Sequence, residues 1–421
     1  MRVLLLGGYG FIGRAVGETL QRRGHDVIGW GRSAALGRRL LPDATWIEGD
    51  LGKMPDASAW STALAGADAV INASGALQSG GGANLRNSQG RAIVALIDAC
   101  VQTGVRRFVQ ISAPGADANA DTQFMTTKAI ADAHLRGSGL EWIILRPALV
   151  IGRNAYGGTA LIRALAALPI GITVYGDRPV QCVSLDDVAA ACVDAIESGI
   201  AAGADLALAS REVPTLRDVI VTHRRWLGLP PVRLTFDLPA ALAAPIAWAA
   251  DLAGWLGWRS PLRSTALNVM RHGVLTDEVT GRPLASLAQT LAANPAGLQD
   301  RIAARLFMLQ PMLVLALAGL WIGSGVVGLI ETSRAAAIIG GSAAAALVQA
   351  CSIIDLLLGG AILVRAWARP AALGMAVVSA AYLIGGSLVT PSLWLDPLAP
   401  LLKIVPALVL ALIAAAILDR R

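Results

Sequence analysis

The sequence predicts an α/β domain with a doubly wound parallel sheet, followed by an all-α bundle of four transmembrane helices. In the first part of the chain, short apolar runs alternate with segments that carry apolar residues at helical spacing. After residue 304, charged residues become rare and apolar stretches of about 20 residues recur. The composition favours a membrane protein, because the 421 residues are 55% hydrophobic and only 15% charged.

Residues 1–235 are predicted to form the α/β domain. Helical spacing of apolar residues marks Ile12–Arg23 and Ala92–Thr103 as helices that connect successive strands. We expect a strand and not a signal peptide at the start, because the first apolar run is short and no cleavage site follows it. The candidate parallel strands are RVLLLG, HDVIGW, TWIEGD, DAVINAS, RFVQIS and EWIILRP.

Residues 236–303 are predicted to be a joining segment, and residues 304–421 the transmembrane domain. The joining segment is apolar and carries Trp248, Trp255 and Trp258, as expected of a segment at a membrane surface. Each predicted span has about the 20 residues that a helix needs to cross the hydrocarbon core. The spans are Leu306–Ile330, Ala343–Val364, Ala371–Val389 and Leu398–Leu418.

Basic residues predict the orientation of the spans, because short loops rich in Arg and Lys stay on the cytoplasmic side. The loops after the first and third spans carry only Arg334, and Lys403 lies just inside the fourth span. With four spans, both termini and the α/β domain are predicted to lie on the cytoplasmic side of the inner membrane. The basic residues that share this side are Arg301, Arg305, Arg365, Arg369, Arg420 and Arg421.

Two ionisable residues fall inside predicted spans, Asp355 in the second and Lys403 in the fourth. Charge inside a membrane is costly and often functional. Either the two side chains reach each other, or Lys403 extends to the surface and Asp355 finds partners within the bundle.

Cysteine and histidine patterns exclude other chemistries. Cys100, Cys182, Cys192 and Cys351 show no CxxC spacing, and the four histidines are scattered, so neither a disulfide framework nor a metal site is predicted. The net charge is +6, but no Arg-rich run with interleaved aromatic residues occurs. Nucleic-acid binding is therefore not expected.

A glycine-rich turn follows the first strand directly and leads into the first helix. Gly7, Gly10 and Gly13 form the pattern GxxGxxG, with Phe11 and Ile12 between the last two glycines. These glycines permit, in turn, a tight turn, the approach of a pyrophosphate, and close packing of the helix on the sheet. The pattern predicts a Rossmann dinucleotide-binding site, where N–H groups at the helix N-terminus face the phosphates.

Three further motifs follow in a specific order. Gly49-Asp50-Leu51 comes after the third strand, Asn72-Ala73-Ser74-Gly75 after the fourth, and Leu145-Arg146-Pro147 closes the sixth. Together with GxxGxxG, they resemble the atypical extended short-chain dehydrogenases/reductases, including members similar to accessory subunits of respiratory complex I. The resemblance covers residues 1–235 and implies an NAD(P)-binding Rossmann fold.

The resemblance also implies roles for individual residues. Asp50 and Leu51 would flank the adenine, Ala73 and Gly75, with Ser74 between them, would line the nicotinamide side, and Pro147 would close over the ribose region. In the C-terminal part, Gly257-Trp258-Arg259-Ser260-Pro261 and Trp394-Leu395-Asp396-Pro397 resemble the DoxX-like membrane family, which residues 300–421 are similar to. The whole chain resembles a short-chain reductase with a DoxX-like tail.

Residues at the end of the second strand favour NADP over NAD. An acidic residue there binds the ribose 2′-hydroxyl of NAD, whereas an arginine accommodates the 2′-phosphate of NADP. This sequence has Arg32 and Ser33 at that point, with Arg38 and Arg39 close by. The alternative is that Arg32 stacks on the adenine and tolerates either cofactor.

The general acid of the superfamily is missing. Its reductases carry Tyr-x-x-x-Lys, in which the phenol passes a proton to the carbonyl as hydride arrives. The matching residues are Phe124 and Lys128, so Lys128 is predicted to bind the ribose while Phe124 has no proton to give. Ser112, after the fifth strand, is a candidate catalytic hydroxyl, and its alternative role is to cap the turn.

Tyr156 is the other candidate proton donor. It lies in a glycine-rich segment shortly after Leu145-Arg146-Pro147, in the region that faces substrate in this fold. The alternative is a packing role as a lid, because a proton donor must first satisfy the geometry of the reaction. Lys128, Ser112 and Tyr156 are thus the candidate catalytic residues.

Two functions follow from these observations. The first is an NAD(P)H-dependent oxidoreductase, anchored in the bilayer, that acts on a small hydrophobic substrate such as a quinone or another lipid-like carbonyl. The second is a non-catalytic NAD(P)-binding subunit for assembly or sensing, with a membrane-protein partner or a second copy of the chain. Fusion to four spans favours the first, and the missing tyrosine favours the second.

Overall fold

The computed structural model describes residues 1–54, 56–75, 85–258, 260–276 and 283–418. The chain divides into two compact units. The first unit comprises Met1–Asp251 and Ser260–Ala304, and the second comprises Leu252–Arg259 and Arg305–Arg421. Of the residues used in the sequence predictions, Arg259, Arg420 and Arg421 lie outside the described residues.

A seven-stranded parallel sheet organises the first unit. The strands of this sheet are β1 (Arg2–Leu6), β2 (Asp26–Gly31), β3 (Thr45–Glu48), β4 (Ala69–Asn72), β5 (Arg107–Ile111), β6 (Glu141–Pro147) and β10 (Ala204–Leu208). They lie in the order β10-β6-β5-β4-β1-β2-β3, so successive strands are added on one side of β1 as far as β3 and on its other side from β4 onward. The doubly wound parallel fold predicted from the sequence is therefore confirmed.

All six predicted strands are present, and β10 is the strand that the prediction missed. It pairs with β6 at the edge of the sheet, from Ala204 opposite Ile143 to Leu208 opposite Pro147. Its sequence, ADLAL, contains a charged residue and has little of the β-branched character that marks the other strands. Tertiary pairing with β6 therefore decides its conformation.

Helices cover both faces of the sheet, as the alternation of β1 side chains requires. The first seven helices in chain order are α1 (Phe11–Arg22), α2 (Ala34–Leu40), α3 (Ser61–Leu64), α4 (Ala92–Thr103), α5 (Gln123–Arg136), α6 (Gly158–Ala167) and α7 (Leu185–Ile196). Leu4 and Leu6 pack on one face of the sheet with α4 and α5, and Val3 and Leu5 pack on the other face with α1 and α7.

A smaller lobe follows β6. It has two parallel strand pairs, β7 (Leu149–Ile151) with β9 (Cys182–Ser184) and β8 (Gly171–Thr173) with β11 (Thr235–Asp237). Its apolar core joins Ile162 of α6 to side chains of two later helices. These and the neighbouring helices are α8 (Leu216–Trp226), α9 (Ala240–Trp255), α10 (Ser264–His272) and α11 (Leu287–Ala293).

The predicted joining segment, 236–303, is divided between the two units. Leu287 and Leu291 of α11 are buried in the core of the smaller lobe, so this part of the segment belongs to the first unit. Trp258 packs instead in the core of the second unit. Apolar composition alone does not show which core a segment joins, so the boundary predicted at 235 does not coincide with a division between the units. The boundary predicted at 303 lies beside Ala304, where the first unit ends.

Within the described residues, four helices are long and apolar enough to cross a membrane. They are α12 (Leu298–Ile330), α14 (Ala344–Ala361), α15 (Ala368–Val389) and α16 (Pro400–Ile417), with the short helix α13 (Thr332–Ile339) after α12. These helices correspond to the four predicted spans, so the all-α transmembrane part of the fold is confirmed as well.

Candidate functional site

Two glycines at the turn between β1 and α1 have no room for a side chain. Gly7 has φ +72°, and a Cβ on it would lie 2.8 Å from the carbonyl oxygen of Ala73. A Cβ on Gly13 would lie 2.2 Å from the carbonyl oxygen of Gly7. Gly10 N donates to that same oxygen at 2.7 Å and closes the turn. The turn lies where the strand order reverses, which is where such sheets bind ligands.

The start of α1 suits a diphosphate. Gly10 caps this 12-residue helix without a side-chain hydrogen bond, and the first turn contains no acidic residue. Its first N–H groups therefore face the turn with the partial positive charge of the helix N-terminus. Phe11 and Ile12 are the first two helical residues, and both are half-buried. Together with the turn at Gly7, these features fit the pyrophosphate of a dinucleotide.

Arg32 and Ser33 follow β2 at the position that would face the adenosine. The Arg32 side chain is exposed, whereas Ser33 caps α2 by accepting a hydrogen bond from Leu36 N at 3.2 Å. Tyr9, which the sequence analysis did not single out, accepts a hydrogen bond from Arg32 N at 2.9 Å. Its ring packs against Trp46, with the centroids 5.6 Å apart. Tyr9 thus connects the glycine-rich turn to the end of β2.

Asp50 and Leu51 follow β3, at the same edge of the sheet as Arg32 and Ser33, because β2 and β3 are parallel. Asp50 is exposed and accepts a hydrogen bond from Gly52 N at 3.0 Å, so it caps a short 3₁₀ helix. Leu51 is half-buried and packs against the core formed with α4. The role of these two residues beside the adenine stays a prediction, and Asp50 already has a local capping role.

Residues after β4 lie beside the glycine-rich turn, where the backbone of Ala73 and Ser74 contacts Gly7. Asn72 is fully buried, donates to Gln110 Oε1 at 2.8 Å and accepts from Ser74 Oγ at 2.5 Å. These hydrogen bonds fix the backbone that carries Ala73, Ser74 and Gly75 beside the turn at Gly7. Asn72 belongs to a motif noted in the sequence, and the structure shows that its side chain holds this segment in place through hydrogen bonds.

Lys128 lies in the same place. Its Nζ donates to the carbonyl oxygens of Ser74, at 3.2 Å, and Ile111, at 2.7 Å. It also lies 3.7 Å from the point where a Cβ on Gly75 would be. Burial lowers the pKa of Lys128 to about 8, while the negative charge of Asp132 opposes that shift. The structure therefore brings Lys128, Ser74 and Gly75 together, as expected of residues around a nicotinamide ribose.

Ser112 is tied into a network of ion pairs. Its Oγ donates to Asp132 Oδ2 at 2.5 Å and accepts from Arg146 Nη1 at 3.3 Å. Arg146 also pairs with Asp132 at 2.8 Å and with Asp205 at 2.7 Å. Ser112 is only 5% exposed, and its hydroxyl already has one donor and one acceptor. The geometry supports a structural role for Ser112 rather than a catalytic one.

Phe124 lies in the first turn of α5, one turn before Lys128, and is half-buried. The position is thus the one from which a tyrosine would accompany Lys128 in a reductase of this fold. A phenyl ring there can pack against a bound nicotinamide or substrate, but it supplies no proton.

Tyr156 lies beside Phe11, the first residue of α1. Its ring stacks on Phe11, with the centroids 6.0 Å apart and an angle of 6° between the planes. The side chain is 52% exposed, and Thr159 Oγ1 accepts a hydrogen bond from Tyr156 N at 3.0 Å. Tyr156 therefore covers the start of α1, whereas Lys128 lies at the ends of β4 and β5. This placement favours the role of a lid.

The loop that carries Tyr156 is held by a buried arginine that the sequence analysis missed. Arg163 is 4% exposed and donates through Nη2 to the carbonyl oxygen of Gly152 at 2.8 Å. Its guanidinium also lies 4.5 Å from the ring centroid of Trp226 and 3.6 Å from Asp300. In the sequence, Arg163 is the single arginine in the otherwise apolar run of α6, and this isolated charge could have indicated a buried role.

Pro147, which the resemblance places over the ribose region, is the last residue of β6 and is buried.

In the second unit, Asp355 binds two hydroxyl groups from neighbouring helices. Ser324 Oγ of α12 donates to Asp355 Oδ2 at 2.8 Å, and Tyr382 of α15 donates to Oδ1 at 2.7 Å. Asp355 is 4% exposed, whereas Lys403 is exposed on α16. Of the two alternatives left open by the sequence, the structure supports separate roles, with Asp355 joining three helices.

Comparison with known families agrees with this arrangement. Residues 7–199 match the NAD(P)H-binding family, and residues 318–412 match the DoxX-like family. The predicted resemblance is confirmed for both parts of the chain. The protein has an NAD(P)-binding, reductase-like domain at the N-terminus and a DoxX-like domain with four apolar helices at the C-terminus, as in a multi-pass membrane protein.

Curated relatives are similar over part of the chain. An uncharacterized protein of Mycobacterium tuberculosis is 32% identical over 189 residues, which are 44% of this chain and 19% of that protein. The (4-alkanoyl-5-oxo-2,5-dihydrofuran-3-yl)methyl phosphate reductase of Streptomyces griseus is 28% identical, over 54% of this chain and 74% of the reductase. The chain thus spans about a fifth of the length of the first curated relatives that it matches.

Two further comparisons bear on the domain at the N-terminus. The mitochondrial NADH dehydrogenase (ubiquinone) 1 alpha subcomplex subunit 9 of Arabidopsis thaliana is 28% identical, over 57% of this chain and 62% of that subunit. An NADPH-dependent quinone oxidoreductase of Escherichia coli, solved with NADPH, is 20% identical with a TM-score of 0.53, over 70% of this chain and 99% of that one. The latter likeness shows the fold. The match to the NAD(P)H-binding family supports a nicotinamide cofactor and does not show which one.

Proposed function

We propose that the protein is a membrane-anchored NAD(P)H-dependent oxidoreductase that reduces a lipid-like or quinone-like substrate at the cytoplasmic face of the inner membrane. The observation that carries this proposal is the convergence of Lys128, Ser74 and Gly75 beside the glycine turn of Gly7. A bound cofactor would supply the hydride. The chain would hold its diphosphate at the start of α1 and its nicotinamide ribose at Lys128.

The membrane anchor supports a substrate that dissolves in lipid. On α9, Trp248 is 70% exposed and Trp255 is 85% exposed. Beyond the helix, Trp258 Nε1 donates to the carbonyl oxygen of Leu363 at 2.6 Å, within the second unit. Exposed tryptophans on an apolar helix are typical of a segment at the bilayer surface. This arrangement favours substrate capture from the membrane.

The substrate class is tested with a homologous series of carbonyls or quinones that differ only in alkyl-chain length. We expect kcat/KM of the full chain in lipid nanodiscs to rise with chain length, because longer chains concentrate the substrate in the bilayer. An NADPH-dependent rate that is the same for short and long members would contradict a lipid-like substrate while leaving the reductase assignment intact.

For the cofactor, we propose NADPH as the preferred form, with NADH as the weaker alternative. Arg32→Ala is expected to remove most of the difference in affinity, because the 2′-phosphate loses a charge-assisted contact worth about 1.5–3 kcal/mol. Titration calorimetry with both cofactors measures the effect. Arg22→Ala, at an exposed arginine in the last turn of α1 and far from the glycine turn, is the matched control and should change neither affinity. Equal affinities in the unmodified protein would contradict the preference.

For the orientation, cysteine labelling is the direct test. Ser333→Cys and Ser392→Cys, both at exposed positions, should react with a membrane-impermeant maleimide added to intact spheroplasts. Arg369→Cys should react only after the membrane is opened. The opposite pattern would place the first unit outside the cytoplasm.

The unmodified protein is the control for this labelling, and it should give little signal. Burial raises the pKa of three of its thiols to about 12, which keeps them unreactive. These are Cys100, Cys182 and Cys192.

A second candidate function is a non-catalytic NAD(P)-binding subunit that positions a membrane-protein partner or a second copy of the chain. Three observations favour it: Phe124 replaces the acid, Ser112 is bound to Asp132, and Tyr156 stacks on Phe11. Nucleotide binding would then stabilise the first unit without any hydride transfer. The two candidates differ in one measurable property, namely whether bound NADPH is ever oxidised.

A further inference from the structure

A carboxylate lies beside the residues that face the adenosine end of the proposed cofactor. Glu48 is the last residue of β3, and it is paired with Gly31, the last residue of β2. Its Oε2 accepts a hydrogen bond from Ala34 N at 3.1 Å. Since Ala34 follows Arg32 and Ser33 directly, the carboxylate lies next to the two residues that were predicted to select NADP.

Neighbouring hydroxyl groups bind backbone N–H groups of the segment that contacts this carboxylate. Ser33 Oγ accepts a hydrogen bond from Leu36 N, and the phenolic oxygen of Tyr9 accepts one from Arg32 N. The charged side chains of Arg32 and Glu48 are both exposed at this edge. A ligand that reaches the end of β2 therefore meets one positive and one negative side chain.

These two charges act in opposite directions on the two cofactors. The 2′-phosphate of NADPH carries a charge of about −1.5 to −2 and is repelled by a carboxylate. The ribose 2′-hydroxyl of NADH is a hydrogen-bond donor, and a carboxylate oxygen accepts from it. An acidic residue at this point thus favours NADH, whether β2 or the adjacent strand supplies it.

We propose that Glu48 is a determinant of cofactor choice, supplied by β3, which favours NADH by accepting its ribose 2′-hydroxyl and weakens NADPH binding by repelling the 2′-phosphate. This inference rests on the proposed function, because it requires a nicotinamide dinucleotide across the turn at Gly7. Arg32 then sets the direction of the preference, and Glu48 limits its size. The protein accepts both cofactors as a result.

The test compares two single substitutions in the full chain, reconstituted in lipid nanodiscs. Glu48→Gln keeps an acceptor for Ala34 N and removes the charge. Asp43→Asn removes one exposed negative charge near the opposite end of β3 and is the matched control. Titration calorimetry gives the Kd of NADPH and of NADH for each variant and for the unmodified protein.

We expect Glu48→Gln to tighten NADPH binding roughly five- to tenfold, the effect of one like charge close to a phosphate at a solvated surface. NADH binding should stay the same or weaken slightly, and Asp43→Asn should leave the ratio of the two Kd values within about twofold. An unchanged ratio of the two Kd values in Glu48→Gln would overturn the inference. An equal gain in NADPH affinity in Glu48→Gln and Asp43→Asn would overturn it as well. If the unmodified protein binds neither cofactor, the proposed function fails and this inference fails with it.

Discussion

Phe124→Tyr is expected to raise reductase turnover on a generic lipid-soluble carbonyl or quinone by roughly 100- to 10,000-fold, the range typical of general acid catalysis. Phe124 lies one turn before Lys128 on α5, and Lys128 is held at the ends of β4 and β5 by two carbonyl oxygens. A phenol at this position would lie close to the ammonium group, which lowers the pKa of the phenol and favours proton transfer. NADPH oxidation under saturating cofactor measures the gain.

Phe124→Leu is the matched control, because it changes the ring without adding a proton donor. It should leave turnover near that of the unmodified protein. If Tyr156 or a bound water already donates the proton, Phe124→Tyr will leave turnover flat or lower it, and Tyr156→Phe will then be the damaging change. That pattern would contradict the assignment of Tyr156 as a lid on Phe11. NADPH affinity should change little in Phe124→Tyr.

Gly13→Ala is expected to weaken binding of NADPH and NADH alike by roughly 10- to 100-fold, the equivalent of an overpacking cost of about 1–3 kcal/mol. A Cβ on Gly13 would lie 2.2 Å from the backbone oxygen of Gly7, so either the helix or the phosphate-binding turn must move. A turn that has moved no longer presents the first N–H groups of α1 to the diphosphate. Titration calorimetry with both cofactors measures the loss.

Gly158→Ala provides the control for Gly13→Ala. Gly158 is also at the start of a helix, α6, but a Cβ on it would meet no atom within 4 Å among the described residues. Cofactor affinity should therefore be retained in Gly158→Ala. Thermal unfolding of both variants separates a local change at the turn from a loss of the fold. Tight cofactor binding by a well-folded Gly13→Ala variant would contradict the placement of the diphosphate.

Backbone features of this fold were predictable from the sequence because their signals are local. Short apolar runs marked six strands. The spacing of the glycines marked the turn at Gly7, because that spacing is typical of a tight turn between a strand and a helix. The transmembrane helices were predictable because the bilayer sets their length and composition. In contrast, β10 and α11 take their places through pairing with β6 and packing on α8, and no local signal specifies such partners.

Side-chain roles at the site were less predictable, since they depend on contacts between distant segments. Ser112 and Tyr156 have the residue types of proton donors, yet Asp132 engages the first and Phe11 stacks on the second. Lys128 was predictable, because a motif fixes its position on α5 and the ends of β4 and β5 fix its partners. Glu48 was overlooked because it comes from β3, whereas the expected acid belongs to β2.

Asp355 shows the same limit inside the membrane. Its presence in an apolar span was evident from the sequence, but its partners Ser324 and Tyr382 come from two other helices. Little water competes for hydrogen bonds between transmembrane helices, and such bonds help to fix which helix faces pack together. Helix packing therefore accounts for this carboxyl without a link to Lys403.

The most direct test of the central claim is whether the purified full-length protein oxidises NADPH when a lipid-soluble acceptor is present. The protein in lipid nanodiscs is incubated anaerobically with NADPH and a panel of quinones and long-chain carbonyls, and nicotinamide absorbance is followed together with the reduced product. The account predicts loss of NADPH that matches product formation and is abolished in Gly13→Ala at limiting cofactor. NADPH that binds but is never oxidised, by the unmodified protein or by Phe124→Tyr, would contradict the oxidoreductase and establish the non-catalytic subunit.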